Sequence, residues 1–273
     1  MEFDREPTKI SRIIAIYIRI IYIIKYALTF RTITQINYPV FIIGCGHSGT
    51  SILLSILGNH SKVYTVPNES YLFFENIKNI QKTLCLWIYQ SKSSKKEVIL
   101  EKTPSHVHCI ESIRKIFPRS KFIFIIRDCR DTVLSLVKRG FELNESVRRW
   151  VNENSVIANH KYDPNTLEIK YESLVSDKEN YFQIICKFIG VPFEKEILNN
   201  NNRTKSFYSH FQKIDSLPKE SDHMERRNFQ INQNLTDYSG NWKLKKNYYQ
   251  VKQIMKDEHV LKLMIHFNYI NKN

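Results

Sequence analysis

Residues 39–57 read PVFIIGCGHSGTSILLSIL, and this stretch decides the fold. Pro39–Ile43 is a short apolar run of the kind that forms a fully buried strand. The glycine-rich segment Gly44-Cys-Gly-His-Ser-Gly-Thr-Ser51 follows, and ILLSIL (52–57) opens a helix. In a strand–loop–helix of this type, successive backbone N–H groups cradle an anion and the helix N-terminus adds its positive dipole. Gly44, Gly46 and Gly49 let the backbone approach the ligand, while Ser48, Thr50 and Ser51 supply hydroxyl donors. Gly44, Gly49 and Ser51 also satisfy the nucleoside-triphosphatase pattern G-x-x-x-x-G-K-[ST], but position 50 is Thr. The lysine that would reach the β/γ-phosphates is missing, which disfavours magnesium-dependent triphosphate chemistry. The loop suits a phosphate without that metal.

Working outward, strands and helices alternate. Val98–Leu100 predicts a second strand, running into Glu101-Lys-Thr-Pro104. A helix over Cys109–Ile116 stops at Pro118. Lys121–Ile126 is a third strand, and RDCRD leads from it into a helix ending near Gly140. Val147–His160 reads as helix, Thr166–Lys170 as a fourth strand, Glu179–Ile189 as a helix closed by Gly190, and Val251–His266 as a last helix. Strands that are apolar on both faces and alternate with helices predict an α/β fold, a single parallel sheet flanked by helices. Each strand is followed at its C-terminal end by a polar segment, where open α/β sheets place their ligands. Ser70–Lys96 and Asn199–Thr236 read as loops.

A second anion site follows the third strand. Arg127 and Arg130 come directly after it, and Ser135 and Arg139, at i and i+4, share a face of the next helix. Arg127 and Ser135 can grip one dianion with Arg139 behind, since the arginine fork binds phosphate bidentately. The alternative is a surface network in which Arg127 and Arg130 pair with Asp128 and Asp131.

Composition agrees with an anionic ligand. The 273 residues carry 41 Lys+Arg against 27 Asp+Glu, a net charge of +14, which favours nucleic acid, a membrane surface or a phosphate- or sulfate-bearing small molecule. The basic residues are spread along the chain without a nucleic-acid-binding signature, so no nucleic-acid partner is expected. With 42% hydrophobic and 12% aromatic residues the chain is globular, which excludes disorder, collagen and coiled coil. Five cysteines at unpaired spacings argue against a disulfide framework and for a reducing compartment, and no His/Cys cluster has zinc spacing.

Residues 1–37 stand apart. Ile13–Leu28 reads IIAIYIRIIYIIKYAL, apolar except for Arg19 and Lys25. A spanning helix needs about 20 apolar residues, and a central Arg costs about 2.5–3.5 kcal/mol. A cationic interfacial helix touching a membrane through residues 12–31 is one reading, and a helix packed on the core is the other. A signal peptide is disfavoured by the two charges and the lack of a small-x-small cleavage site. The expected organisation is a helix over 1–37 and one catalytic domain over 38–273, cytoplasmic, with membrane association through the helix left open.

These residues carry a family resemblance. PVFIIGCGHSGTSILLSIL resembles the 5′-phosphosulfate loop of PAPS-dependent sulfotransferases (PAPS is 3′-phosphoadenosine 5′-phosphosulfate). FIFIIRDCRDTVLSLVKRG (122–140) resembles their 3′-phosphate motif, with the Arg-to-Ser spacing of eight intact. LEKTPSHV (100–107) and YESLVSDKENYFQIICKFIGVPF (171–193) resemble segments between and after these motifs. The match is nearest to the protein-tyrosine and carbohydrate branches, and it implies a P-loop-like sulfotransferase fold and PAPS as cofactor. It further implies that Gly46, His47, Ser48, Gly49, Thr50 and Ser51 hold the 5′-phosphosulfate, and that Arg127, Ser135 and Arg139 hold the 3′-phosphate. Tyr171 matches a tyrosine near the adenosine. Tyr238-Ser-Gly-Asn-Trp-Lys243 resembles a late loop closing over the cofactor, with Lys243 as an anion contact.

Three residues are expected to do chemistry. Glu69 matches the glutamate used as general base, and Lys102 a lysine that contacts the sulfuryl group or bridging oxygen; ion pairing of Lys102 with Glu101 is its plain alternative. His47 departs from the family, which mostly has Arg or Lys there. Imidazole is fully charged only when protonated, with an ordinary pKa of about 6.5, and two dianionic neighbours are expected to raise it. In the small-molecule branch a catalytic histidine lies two residues beyond the lysine, where this chain has Pro104; His106 is then the second candidate base. The expected reaction is metal-free, in-line transfer of a sulfuryl group to a hydroxyl or amine, its transition state spreading charge over three equatorial oxygens. A nucleotide kinase or P-loop NTPase, or a catalytically weak PAPS/PAP-binding protein, are the alternatives.

Overall fold

The computed structural model describes residues 39–75, 77–160, 162–199 and 239–271. The expected helix over 1–37, Tyr238 and most of the segment 199–236 lie outside these residues. Five strands form one parallel sheet: β1 (Val40–Gly44), β2 (Val63–Thr65), β3 (Val98–Lys102), β4 (Lys121–Ile126) and β5 (Thr166–Lys170), in the order β2-β3-β1-β4-β5. Nine α-helices are described: α1 (Thr50–Leu57), α2 (Ile77–Ser93), α3 (Ile110–Ile116), α4 (Cys129–Val137), α5 (Leu143–Asn159), α6 (Tyr171–Ser176), α7 (Lys178–Ile189), α8 (Tyr248–Ile254) and α9 (Glu258–His266).

Every residue of β1 is buried, because β1 lies in the middle of the sheet with helices on both faces. Its side chains alternate between two cores, as the two-residue strand period requires. Val40 and Ile42 join Ile123, Ile125, Leu53 and Phe182 on the α1 and α7 face. Phe41 and Ile43 join Phe122, Phe124, Trp87 and Ile113 on the α2, α3 and α5 face. Phe41 stacks on Phe122 with centroids 5.6 Å apart. A third cluster, Cys45, Cys129, Val133, Trp150, Val260 and Met264, carries the two C-terminal helices against α4 and α5.

Several elements differ from expectation. β2 is only three residues long and alternation cannot register over so short a run. The stretch 70–96, read as loop, holds the 17-residue helix α2. Its apolar face (Ile80, Leu84, Trp87, Ile88) is diluted by polar residues, so the helical period is weak to the eye. The last helix is two, broken where the Asp257 side chain accepts from the N–H groups of His259 and Val260 and caps α9. The helix after RDCRD ends at Val137, so Arg139 lies beyond it and not on its face. All five cysteines are buried free thiols.

Candidate active site

β1 pairs with both β3 and β4, with Ile42 opposite Lys102 and Gly44 opposite Ile125. The loops leaving the C-terminal ends of β1, β3 and β4 therefore emerge side by side, at the point where the chain order reverses across the sheet.

The glycine loop turns tightly after β1: the Ser48 N–H donates to the Cys45 carbonyl at 3.1 Å. His47 (φ 70°) and Gly49 (φ 101°) take left-handed backbone conformations, bending the loop into a concave nest that ends on the first turn of α1. A Cβ at Gly49 would lie 2.6 Å from the Tyr171 ring, so glycine is required there on both counts. The first N–H groups of α1 have no partner within the helix. Ser48 Oγ is buried and has no hydrogen-bond partner among the described residues. A concave loop, a helix start and an unsatisfied buried hydroxyl fit a phosphate or sulfate ester.

The two expected anion sites are joined. His47 Nδ1 lies 3.0 Å from Ser135 Oγ on α4. Arg127 Nη1 donates to the His47 carbonyl at 3.0 Å, and its guanidinium lies 4.6 Å from the centroid of Tyr171. Trp150 Nε1 donates to the Arg127 carbonyl, fixing the end of β4 from below. Arg127 thus braces the loop while remaining beside Tyr171. Tyr171 is buried and opens α6, directly after the last residue of β5. Glu172 next to it accepts from the Asp128 N–H at 3.1 Å and from the Tyr269 hydroxyl at 2.8 Å. Burial, and then Glu172, raise the Tyr269 pKa far above its ordinary value, so it is a fixed donor.

The expected alternative of an Arg–Asp network is half right. Arg130 pairs with Asp128 at 2.6 Å. Asp131 instead accepts the backbone N–H groups of Gly240 and Trp242, at 2.7 and 3.0 Å, and Arg130 stacks on Trp242. The acidic residues of the motif therefore tether the late loop over α4. Within that loop Lys243 is exposed, at the end of a single 3₁₀ turn (Asn241–Lys243), with Nζ 5.5 Å from the Trp242 ring. Arg139 is half-buried beyond α4.

At the end of β3, Lys102 pairs with Glu69, not with Glu101: Nζ to Oε1 is 2.6 Å, with side-chain exposures of 0% and 7%. Glu69 Oε2 accepts from the Tyr71 hydroxyl at 2.6 Å. Glu101 turns to the other side of the strand, where its oxygens meet Ser70 Oγ (2.8 Å), Thr103 Oγ1 (2.5 Å) and His106 Nδ1 (3.1 Å). The Phe73 N–H points at His106 Nε2 at 3.4 Å, so the proton of a neutral imidazole sits on Nδ1, facing Glu101. His106 is fully buried, with Nδ1 against Glu101 and Nε2 facing the Phe73 N–H, and braces the Ser70 loop.

One group at the loop was not foreseen. Arg149 on α5 lies against Gly46, where a Cβ would come within 2.7 Å of Nη2, and its Nε donates to Glu153 at 3.2 Å. Glu153 also adjoins the buried Cys45; burial first, then this carboxylate, push the thiol far up, so Cys45 is inert. An i,i+4 Arg–Glu pair on a helix reads as surface decoration in sequence, and only the packing of α5 on β1 brings it to the loop.

Comparisons with known proteins agree with this geometry. A family model described as the sulfotransferase family matches residues 78–195. A protein-tyrosine sulfotransferase of Drosophila melanogaster is 24% identical over 197 residues, covering 59% of this chain and 40% of its own length. Protein-tyrosine sulfotransferase A of Caenorhabditis elegans is 22% identical, covering 59% and 52%. The chain thus spans about half of these relatives or less. Among solved structures, the sulfotransferase domain of the Synechococcus PCC 7002 olefin synthase superposes with a TM-score of 0.62 at 15% identity, covering 87% of this chain and 97% of that one. A mouse sulfotransferase complexed with PAP gives 0.52 at 14%, covering 83% and 88%. Two anion motifs on adjacent parallel strands, the family match over residues 78–195 and the shared fold agree: the chain has a sulfotransferase-like fold and is similar in sequence to sulfotransferases.

Proposed function

We propose that the protein transfers a sulfuryl group from PAPS to a hydroxyl or amine of an acceptor, a carbohydrate or a protein tyrosine. The carrying observation is the Lys102–Glu69 pair, which sits at the end of β3 beside the phosphate-type loop of β1. The relatives named as protein-tyrosine sulfotransferases and the neighbour solved with PAP support the donor and the reaction class.

PAPS, when bound, supplies the sulfuryl group and carries the leaving phosphate. The 46–51 loop, with Ser48 Oγ and the start of α1, would hold the 5′ end. Arg127, Ser135 and Arg139 would hold the 3′-phosphate, with Tyr171 beside the nucleoside and Lys243 approaching on its tethered loop. Glu69 takes the proton of the acceptor on Oε2. Lys102, already a donor to Oε1, orients that carboxylate and would offer positive charge to the group in transfer. His47 would donate to the leaving phosphate, and the bound anions would favour its charged form. None of these roles calls for a metal. The buried free thiols support a reducing, cytoplasmic location.

The test is incubation with PAPS and a panel of glycans, phenols and tyrosine peptides, read by mass shift. Glu69→Gln should lower transfer about 10²–10⁴-fold with PAP binding retained. Magnesium-dependent ATP turnover, or PAP binding with no transfer to any acceptor, would overturn the reading.

A further inference from the structure

We propose that Tyr71 is a positioning residue that occupies the acceptor's seat on Glu69 until an acceptor displaces it. This rests on Glu69 being the base. A carboxylate that takes a proton must present one oxygen to the incoming hydroxyl. Oε1 of Glu69 is held by the fully buried Lys102, which leaves Oε2 for the acceptor, and Oε2 receives the Tyr71 hydroxyl at 2.6 Å. The contact is the one an acceptor hydroxyl must make, in both partner atom and hydrogen-bond direction.

The surroundings suit a replaceable occupant. Ser70, between the two residues, is fixed: its N–H donates to Thr103 Oγ1 at 2.9 Å and its hydroxyl to Glu101 at 2.8 Å. Both neighbouring side chains project from an anchored point. Glu69 is almost fully buried, whereas Tyr71 is 50% exposed, so the ring can swing into solvent without opening the core. Its backbone is left-handed (φ 49°), a conformation that a tyrosine adopts only when held there. Phe74, also exposed, lies 6.5 Å from the Tyr71 ring and offers it an apolar flank. Among the described residues, Lys102 from β3 and Tyr71 from its own loop bond Glu69, with the Glu101–His106 pair behind Ser70. While the phenol is in place it keeps water off the base, and by donating to the ionised carboxylate it lowers the basicity of Glu69. Displacement by an acceptor releases both restraints at once.

The test compares the full chain with Tyr71→Phe, which keeps the ring and removes the hydroxyl. In the donor-free protein, carbon-13 NMR of labelled glutamate carboxyls, with Glu69→Gln to assign the signal, should show the Glu69 midpoint rising by about one to two units, the worth of one hydrogen bond to an ionised carboxylate. With PAPS and no acceptor, hydrolysis of the donor should rise about three- to tenfold. Unchanged midpoint and hydrolysis, with PAP binding equal in both proteins, overturn the role of Tyr71 and leave the sulfotransferase reading intact. A sulfate-sized mass gain on the peptide holding Tyr71 also overturns it, because the residue would then be an acceptor. If the unsubstituted protein neither binds PAP nor consumes PAPS, the functional reading fails and this proposal with it.

Discussion

His47 Nδ1 and Ser135 Oγ stand 3.0 Å apart although 88 residues separate them. One belongs to the loop after β1 and the other to the helix after β4, so the bond crosses between the two anion motifs. The pairing of β1 with β4 makes it reachable, and the Arg127 bond to the His47 carbonyl holds the loop in place for it. A ligand that draws either side chain must be felt by the other.

His47 therefore carries the first prediction. The fraction of imidazolium falls as pH rises past its ordinary pKa of about 6.5, whereas an arginine stays charged. In the proposed transfer reaction, His47→Arg should match the unsubstituted protein at pH 6 and exceed it about tenfold in kcat/KM at pH 8.5. A constant ratio across that range would remove charge from the role of His47.

Two glycines of the loop should respond differently to the same added methyl group. At Gly49 the methyl meets the Tyr171 ring at 2.6 Å in a left-handed backbone; Gly49→Ala should cost about 1–3 kcal/mol and abolish PAP binding. At Gly46 it meets only the far end of Arg149, which can move; Gly46→Ala should cost under about 1 kcal/mol. Urea denaturation and calorimetric titration with PAP would separate the two.

Lys102→Met removes the partner of a carboxylate that is 7% exposed. Breaking a buried pair from one side costs about 3–5 kcal/mol when the remaining charge persists. Protonation of Glu69 should relieve part of this, so the variant should be destabilised most at alkaline pH. Its transfer rate should fall at least about a hundredfold. Equal stability at pH 6 and 9 would contradict the geometry of the pair.

Asp131 makes a prediction about pH. Burial raises its pKa above the ordinary carboxylate value, against the opposing pull of the Gly240 and Trp242 N–H groups. The native state then binds this proton more tightly than the unfolded chain does. Stability from this group is present in full below its unfolded pKa and declines as pH rises through the native one. The difference in unfolding free energy between the natural protein and Asp131→Asn should accordingly move in favour of the natural protein as pH falls from 7 toward 4. Trp242 fluorescence should report loosening of the late loop in Asp131→Ala.

The sheet was legible because β1, β4 and the glycine loop leave little choice: apolar runs that end in anion-binding polar segments belong to a parallel sheet. Lys102 and Glu69 were legible as candidates, but not as each other's partner. That contact depends on the return of residues 66–70 over the end of β3, where the Val66 N–H bonds the Leu100 carbonyl. Helix α2 was hidden by a mean polarity that suits a surface helix and a loop equally. The tether from Asp131 to Gly240 and Trp242 spans more than a hundred residues and uses backbone donors, which no side-chain pattern announces. Arg149 escaped for a similar reason, since its neighbour is a residue with no side chain.

The Tyr171 ring fills the space that Gly49 leaves empty and lies within 4.6 Å of the Arg127 guanidinium. Three residues from three separate strand ends thus share one volume. A lineage that gained a side chain at 49 would have to shrink 171, and a smaller 171 would withdraw the plate on which 127 lies. Drift at any one of the three positions is blocked by the other two, so they can change only together.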